Sequence, residues 1–393
     1  MFKSLFRYIN YFTITLLLRR ERTILFNHLI KRYKPKEYTT AEKEQSLSDA
    51  IKWLCYAQRK SNDAGFCTYR IVEGWSSSYP ETSGYIIPTL LEYAVKYKQD
   101  DIIKNSIDCA DWLLSIQKTS GGWQSMYVED DRPEIVFNTG QVVRGMLAIY
   151  KHTDEKKYLD AAVKACNWLC NIQEEDGSWQ KHAFMNTKRV YDSYVSEALL
   201  QLHAITNEEK YKQAAIKNLY WIVEKKQKSN GWFEDCDNTI KNNDKPILHT
   251  IAYTIDGLLD SGIYLNDDKL IGNAQKAADQ LLYIFEKEGL HGRYDKDWNG
   301  SQYMICTGCA QISIVWMKLY KKTNDKKYYN AASKMNGLLL FIQKQNNSNE
   351  QNTNGALPGS FPIWGRYEPF AFPNWATKYY ADALMLELEI KNR

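Results

Sequence analysis

Two kinds of apolar helical pattern alternate six times along this chain, and nothing else constrains its fold as tightly. The first kind runs through SDAIKWLCYAQ, IIKNSIDCADWLLSIQ, YLDAAVKACNWLCNIQ, YKQAAIKNLYWIVEKKQ, LIGNAQKAADQLLYIFEKE and YYNAASKMNGLLLFIQ. The second runs through TSGYIIPTLLEYAVKY, FNTGQVVRGMLAIY, DSYVSEALLQLHAI, LHTIAYTIDGLLDSG, CTGCAQISIVWMKLY and ATKYYADALMLELEI. Apolar residues recur at three and four in both, which is the helical period. The first kind keeps a wet face, as at Lys156, Lys164 and Glu174. The second is apolar or small all round, as at Gly140, Gly145, Ala252, Gly257, Gly308 and Ala310, and such a helix is buried. A repeated helical hairpin of roughly 55 residues stacks on its neighbours.

Six buried helices inside six half-wet ones predict an all-α fold, the (α/α)6 toroid. An open solenoid needs polar capping repeats at its ends, and none is visible. The toroid domain is placed at residues 45–393, behind a short basic helical extension at 1–44. Length alone suggests two domains, but the unbroken repeat overrides that prior. Connections from buried to wet helix are short and alike: HTDEKKY, ITNEEKY and KTNDKKY. The opposite connections are long, about 17 to 28 residues given the uncertainty of helix ends. Long loops in a compact domain are usually functional. They gather at the N-termini of the buried helices, whose unpaired N–H groups favour anions.

Charge and cysteine usage exclude several classes. The 393 residues carry a net charge of only +4 and are 44% hydrophobic, ample for a large core. Residues 1–36 hold nine Lys or Arg against Glu21 alone, a net of +8, which leaves −4 for the rest. No basic run follows in the toroid, so nucleic acid is not an expected partner. The apolar run Tyr8–Leu18 is too short to span a bilayer, and no cleavage site follows it. Residues 1–36 are read either as a segment lying in a membrane interface or as a helix packed on the outside of the toroid. Cys306 and Cys309 form a C-x-x-C pair that opens a buried helix and lacks a second pair at zinc-site spacing. Core packing is the favoured reading, with no metal and no cofactor expected. The cytoplasm is the expected compartment, with a peripheral place at the inner face of the membrane as its variant.

The long loops combine aromatic rings with carboxylates, which is what a sugar site needs. Glu81 and Asp192 open two buried helices, where a carboxylate serves either as a helix cap or as a catalytic acid. His249 and Tyr253 stand four apart on one helix face and form a second catalytic candidate pair, suited to abstracting a proton beside a uronate carboxylate. Substrate contacts are expected from Trp75, Tyr79, Arg132, Asn138, Arg189, Tyr191, Arg293, Asp295, Asp297, Trp298, Arg366 and Trp375. Arg70, Arg132, Arg189, Arg293 and Arg366 fall in long loops, whereas the wet helices use Lys. Arg offers carboxylate or phosphate a planar fork, so an acidic ligand is expected. The competing reading is that each Arg ties its loop to a neighbouring carboxylate.

The motifs YPETSGYIIPTLLEYA, FNTGQVVRGMLAIY, LHTIAYTIDGLLDSG, TGCAQISIVWMKLY and NWATKYYADALMLE resemble a family of bacterial α/α-toroid proteins associated with surface-polysaccharide biosynthesis. The likeness covers about residues 45–390. Many members of that family have Asn where this chain has Cys309, which argues against a family metal site. More distantly, the layout is similar to unsaturated glucuronyl hydrolases, toroidal polysaccharide lyases and N-acylsugar 2-epimerases. The turns Gln117-KTSGGW and Gln173-EEDGSW match those of terpene cyclases, and LHTIAYTIDGL is similar to the zinc-ligand helix of prenyltransferase β subunits. The cyclases' D-x-D-D acid and a zinc ligand set with His249 are both missing, which leaves isoprenoid chemistry a remote alternative.

The expected function is therefore that of a carbohydrate-active enzyme. Its partner is an acidic oligo- or polysaccharide, or a sugar precursor, in bacterial cell-surface polysaccharide production. Hydrolysis would fall to Glu81 and Asp192, elimination or epimerisation to His249 and Tyr253, with Arg189 and Arg293 as carboxylate clamps. The alternative is a non-catalytic glycan-binding subunit of a synthesis or export machine.

Overall fold

The computed structural model describes residues 2–31, 33–34, 36–346 and 351–391. Met1, Arg32 and Pro35 of the expected extension, and residues 347–350 and 392–393 of the expected toroid domain, lie outside them. Two helices come first, α1 (Phe2–Leu18) and α2 (Arg22–Ile30). The half-wet set then follows as α3 (Thr40–Arg59), α5 (Asp100–Ser115), α7 (Lys156–Asn171), α9 (Glu209–Trp221), α11 (Asp268–Glu288) and α13 (Lys326–Gln345). The buried set alternates with it as α4 (Pro80–Tyr97), α6 (Val136–Thr153), α8 (Ser193–Thr206), α10 (Leu248–Leu265), α12 (Cys306–Thr323) and α14 (Asn374–Lys391). The expected alternation is thus present element by element. The chain divides into two compact units, one of residues 1–62, 66–77 and 302–393, the other of 63–65 and 78–301.

In the second unit α4, α6, α8 and α10 pack side by side in that order, and each carries its half-wet partner. Small residues set the spacing. A Cβ on Gly145 would stand 2.4 Å from the carbonyl oxygen of Gly84, and one on Gly84 would stand 2.5 Å from Cα of Val142. The backbones of α4 and α6 can approach this closely only because neither position has a side chain.

The short connections share one chemistry. Each buried helix of this unit ends in a left-handed residue: Lys98, Asp154, Asn207 and Asn266, at φ 55°, 59°, 55° and 52°. That conformation stops the helix and turns the chain back. Thr153 donates to the carbonyl of Ile149 at 2.9 Å and accepts from Glu155 N at 3.2 Å, and Thr206 repeats this with Leu202 and Glu208.

The long connections begin with a repeated tie. Gln117 Nε2 donates to the carbonyls of Gly121 (2.8 Å) and Ala161 (3.0 Å). Gln173 does the same to Gly177 (2.9 Å) and Ala214 (2.8 Å), and Gln227 to Gly231 and Asn273. Trp123 and Trp179 donate back to the carbonyls of Leu113 and Leu169, ten residues earlier. These glutamines and tryptophans lock a helix end to the following turn and to the next half-wet helix. That accounts for the likeness to cyclase turns without any isoprenoid chemistry.

In the first unit α12 packs on α13 and α14, and α14 on α3. A capping box of Thr39 and Glu42 starts α3, Glu42 N donating at 3.2 Å and Glu42 Oε2 accepting from Thr39 N at 3.0 Å. The buried Lys43–Glu387 ion pair joins α3 to α14. Both α1 and α2 lie on the connection that precedes α14: Phe12 meets Trp364 and Phe370, and His28 Nδ1 accepts from Ile363 N at 3.0 Å. Burial lowers His28 to about 4, so its ring is neutral and its other nitrogen donates to Asn346 Oδ1.

Candidate active site

The four buried helices of the second unit pack side by side, and their first residues bring ionisable and aromatic side chains together. Tyr79 precedes α4, and its hydroxyl donates to Glu81 Oε2 at 2.7 Å. Glu81 stands in the first turn of α4, and its carboxyl accepts from Tyr79. Surrounding protein pushes Glu81 up to about 7, with the Tyr79 hydrogen bond pulling the other way. Tyr79 also shares a hydrogen bond with Asn138 on α6, and Asn138 Nδ2 donates to the carbonyl of Gln124 at 3.0 Å.

The residues Val190–Asp192 form one 3₁₀ turn that runs into α8. Asp192 is 1% exposed, caps nothing, and leaves Oδ2 without a hydrogen-bond partner. Burial drives its carboxyl up to about 8, opposed by the charge of Arg189. Arg189 is equally buried, and its Nε, Nη1 and Nη2 all lack a protein acceptor. A buried guanidinium without partners is costly, so its place is one that favours an anion. Burial also raises the Tyr191 hydroxyl, which responds to the charges of Asp192, Arg189 and Glu81. Tyr191 thus lies within electrostatic reach of Asp192, Arg189 and Glu81, although more than a hundred residues separate Glu81 from the others.

Rings wall this neighbourhood. Phe137 lies edge-on to Tyr191 at 5.1 Å and to Tyr253 at 5.0 Å. Tyr253 also meets Tyr194 at 4.9 Å and His249 at 4.5 Å, so the expected His249–Tyr253 pair is in contact on one face of α10. Phe137 and Tyr194 had not been singled out in the sequence; they adjoin Asn138 and Asp192, and adjacency in the motif was the available signal. Beneath Tyr194, the Arg144 guanidinium sits 3.6 Å from the ring centre and pairs with Glu197.

Other expected contacts fasten loops. Arg293 Nη1 donates to Asp237 Oδ1 at 2.9 Å and to the carbonyl of Lys245 at 2.5 Å. Asp237 is wholly buried and also accepts from Ile247 N at 3.0 Å, so Arg293 ties two strands of chain at the start of α10. Asp295 accepts from the backbone of Asp297 (3.1 Å) and Asn299 (2.9 Å), and the buried Trp298 donates to the carbonyl of Asn230 (3.1 Å). Asp297 is exposed, and Arg132 is exposed and pairs with Asp130. Trp75, Arg366 and Trp375 belong to the first unit. There Trp75 stacks among Trp53, Tyr56 and Tyr69, Trp375 donates to the Tyr367 hydroxyl at 2.9 Å, and Arg366 is exposed.

All eight cysteines are free. Cys306 and Cys309 are buried, and burial holds both thiols well above their ordinary value. Among the described residues no three His, Cys, Asp or Glu side chains gather as a metal site.

Comparison with known proteins agrees with this architecture. An unsaturated glucuronyl hydrolase specific for heparin superposes with a TM-score of 0.71 at 15% identity, covering 90% of this chain and 99% of that one. The Streptococcus agalactiae unsaturated glucuronyl hydrolase, crystallised with the disaccharide dGlcA-GalNAc6S, gives 0.67 at 14% identity, covering 92% and 94%. The Bacillus sp. GL1 enzyme, described as responsible for glycosaminoglycan degradation, gives 0.67 at 12% identity, covering 87% and 96%. These likenesses establish the fold as the (α/α)6 toroid. No curated protein sequence matches the chain. Residues 37–281, well over half of the chain, match the model of the β-L-arabinofuranosidase GH127 catalytic domain, so the chain belongs to that glycoside hydrolase family and is a carbohydrate-active protein.

Proposed function

We propose that this protein hydrolyses a glycosidic bond in an acidic glycan or glycan precursor, within the production of bacterial cell-surface polysaccharide. The observation that carries the reading is the group formed by Glu81, Asp192 and the unpartnered, buried Arg189. A carboxyl raised to about 7 holds its proton into the neutral range, which is what a general acid requires. Glu81 gives that proton to the departing glycosidic oxygen as the C–O bond breaks. Water supplies the hydroxyl to the anomeric carbon, and its remaining proton passes to Asp192. Asp192 is raised further than Glu81, to about 8 against about 7, so the form with Asp192 ionised and Glu81 protonated is a minor one that only the Arg189 charge favours. Arg189 also favours a sugar carboxylate nearby, and Phe137, Tyr191 and Tyr253 offer apolar faces to a sugar ring. The family is described by a furanosidase and the structural neighbours by unsaturated glucuronides. The unpartnered guanidinium is the reason for preferring an acidic sugar.

A second reading draws on the 4.5 Å contact of His249 with Tyr253: proton abstraction beside a uronate carboxylate, leading to elimination or epimerisation. One experiment separates the two. Uronate-containing and arabinofuranose-containing oligosaccharides are incubated with the protein in heavy water and followed by proton NMR. The hydrolytic reading expects new reducing ends from uronate substrates, absent in Glu81→Gln. Deuterium entering the carbon beside the carboxylate of an uncut chain, or new reducing ends accompanied by the alkene proton of an unsaturated sugar, would replace it with the His249–Tyr253 reading. Cleavage of arabinofuranosides alone would overturn the acidic specificity.

A further inference from the structure

Thirteen large hydrophobic side chains stand exposed among the described residues, and six of them lie in α1 and α2. The concentration is sharpest where the two helices meet: Leu17 and Leu18 are 65% and 77% exposed, Phe26 47%, Leu29 58% and Ile30 74%. On α2 the residues 22, 26, 29 and 30 follow helical spacing and form one outward face, while Ile24, Leu25 and His28 form the inward one. So α2 is apolar on both sides. A helix apolar all round is normally buried, yet here only one side is covered by protein.

The charges around this face are of one sign. Arg20, Arg22, Lys31 and Lys34 are exposed beside it. The one acidic residue of the segment, Glu21, is turned inward and accepts from the Tyr69 hydroxyl at 2.5 Å. The exposed Glu73 beside α1 is engaged by Tyr11 and Arg70, and apolar side chains framed by cations match a bilayer surface of anionic lipid, where the apolar groups enter the acyl boundary and the cations meet phosphates. Among the described residues no helix is long and apolar enough to cross a membrane, so the match is to a surface-bound segment.

We infer that α1 and α2 dock this protein onto anionic membrane, with Leu17, Leu18, Phe26, Leu29 and Ile30 inserted at the lipid interface. The other side of these helices rests on the connection before α14, through Phe12 against Trp364 and Phe370, so α1 and α2 lie between that connection and the bilayer. This inference is independent of the sugar chemistry proposed above.

The test is co-sedimentation of the full chain with vesicles of phosphatidylcholine alone and of phosphatidylcholine mixed with phosphatidylglycerol. Binding to the mixed vesicles, and its release by salt, is the expected result. Arg22→Glu should weaken it about fivefold or more. Phe26→Glu combined with Leu29→Glu should weaken it at least about tenfold. All three residues point outward, so the melting temperature should stay unchanged and serve as the control for folding. Equal partitioning to both vesicle types would overturn the inference. A dimer in solution that the double variant splits, with no vesicle binding, would overturn it too and assign the face to a second copy of the chain.

Discussion

The two ends of the buried helices in the second unit are built on opposite rules. At their C-terminal ends one solution recurs: a left-handed residue ends each helix, and in α6 and α8 it follows a threonine bonded backward and forward. At their N-terminal ends each helix begins differently, with Glu81, Asn138, Asp192 or His249, and buried atoms of Arg189 and Asp192 stand without partners. Repetition with paired polar groups stabilises; departure from the repeat leaves buried polar atoms unpaired where the proposed site lies. The site is thus legible as the part of the molecule that gives up stability.

The sharpest way to break this contrast is to remove the proton donor. Glu81→Gln should lower turnover about 10²–10⁴-fold with little change in KM, measured as reducing ends released. Loss of binding in place of turnover would instead make Glu81 a contact. Next, Arg189→Met should weaken acidic ligands about tenfold to a hundredfold while sparing neutral ones, because only the former use the guanidinium; calorimetric titration with a uronate and its neutral counterpart checks this.

Stability should respond the other way round. Gly145→Ala forces a Cβ against the Gly84 carbonyl and should cost about 1–3 kcal/mol, read from denaturant unfolding. Gln173→Ala removes a donor from the carbonyls of Ala214 and Gly177, the latter keeping its bond from Asn218 at 3.0 Å, and should cost about 1 kcal/mol without touching the chemical step. Asp192→Asn should stabilise at neutral pH, and the sign follows from proton binding. The folded state holds the Asp192 proton up to about 8, whereas the unfolded chain releases it near 3.8. The folded form therefore binds more protons in between, and stability falls as pH rises through that window. Asparagine removes this slope, so melting temperatures of the two proteins should converge at low pH and separate as pH rises.

Much of this was readable from residues alone. Alternation of wet and buried helices announced the fold, since helix period and small-residue stripes are local properties. Gln117, Gln173 and their tryptophans announced the local half of their ties for the same reason, since Gly121, Gly177, Leu113 and Leu169 lie within ten residues of the donor. Glu81, Asp192, Arg189, Tyr191, His249 and Tyr253 were placed at helix starts by position in the repeat. What the pattern did not carry was partnership across elements. Arg189 and Arg293 look alike as loop arginines, yet Arg293 is spent on Asp237 and Lys245 while Arg189 has no acceptor. Asp295 and Trp298 look like sugar contacts, but Asp295 closes its own turn and Trp298 is bonded to the carbonyl of Asn230 in another loop. Likewise the N-terminal segment reads as amphipathic, and only the packing of α1 and α2 reveals which apolar side remains uncovered.

The account rests on Glu81 keeping a proton at neutral pH. The most direct measurement is a ¹³C NMR titration of the chain labelled at glutamate carboxyls, with Glu81→Gln to assign the signal. A midpoint at about 7 is the predicted result. A midpoint in the ordinary carboxylate range would mean that Glu81 is ionised where the enzyme works, and it would contradict the proposed proton donor outright.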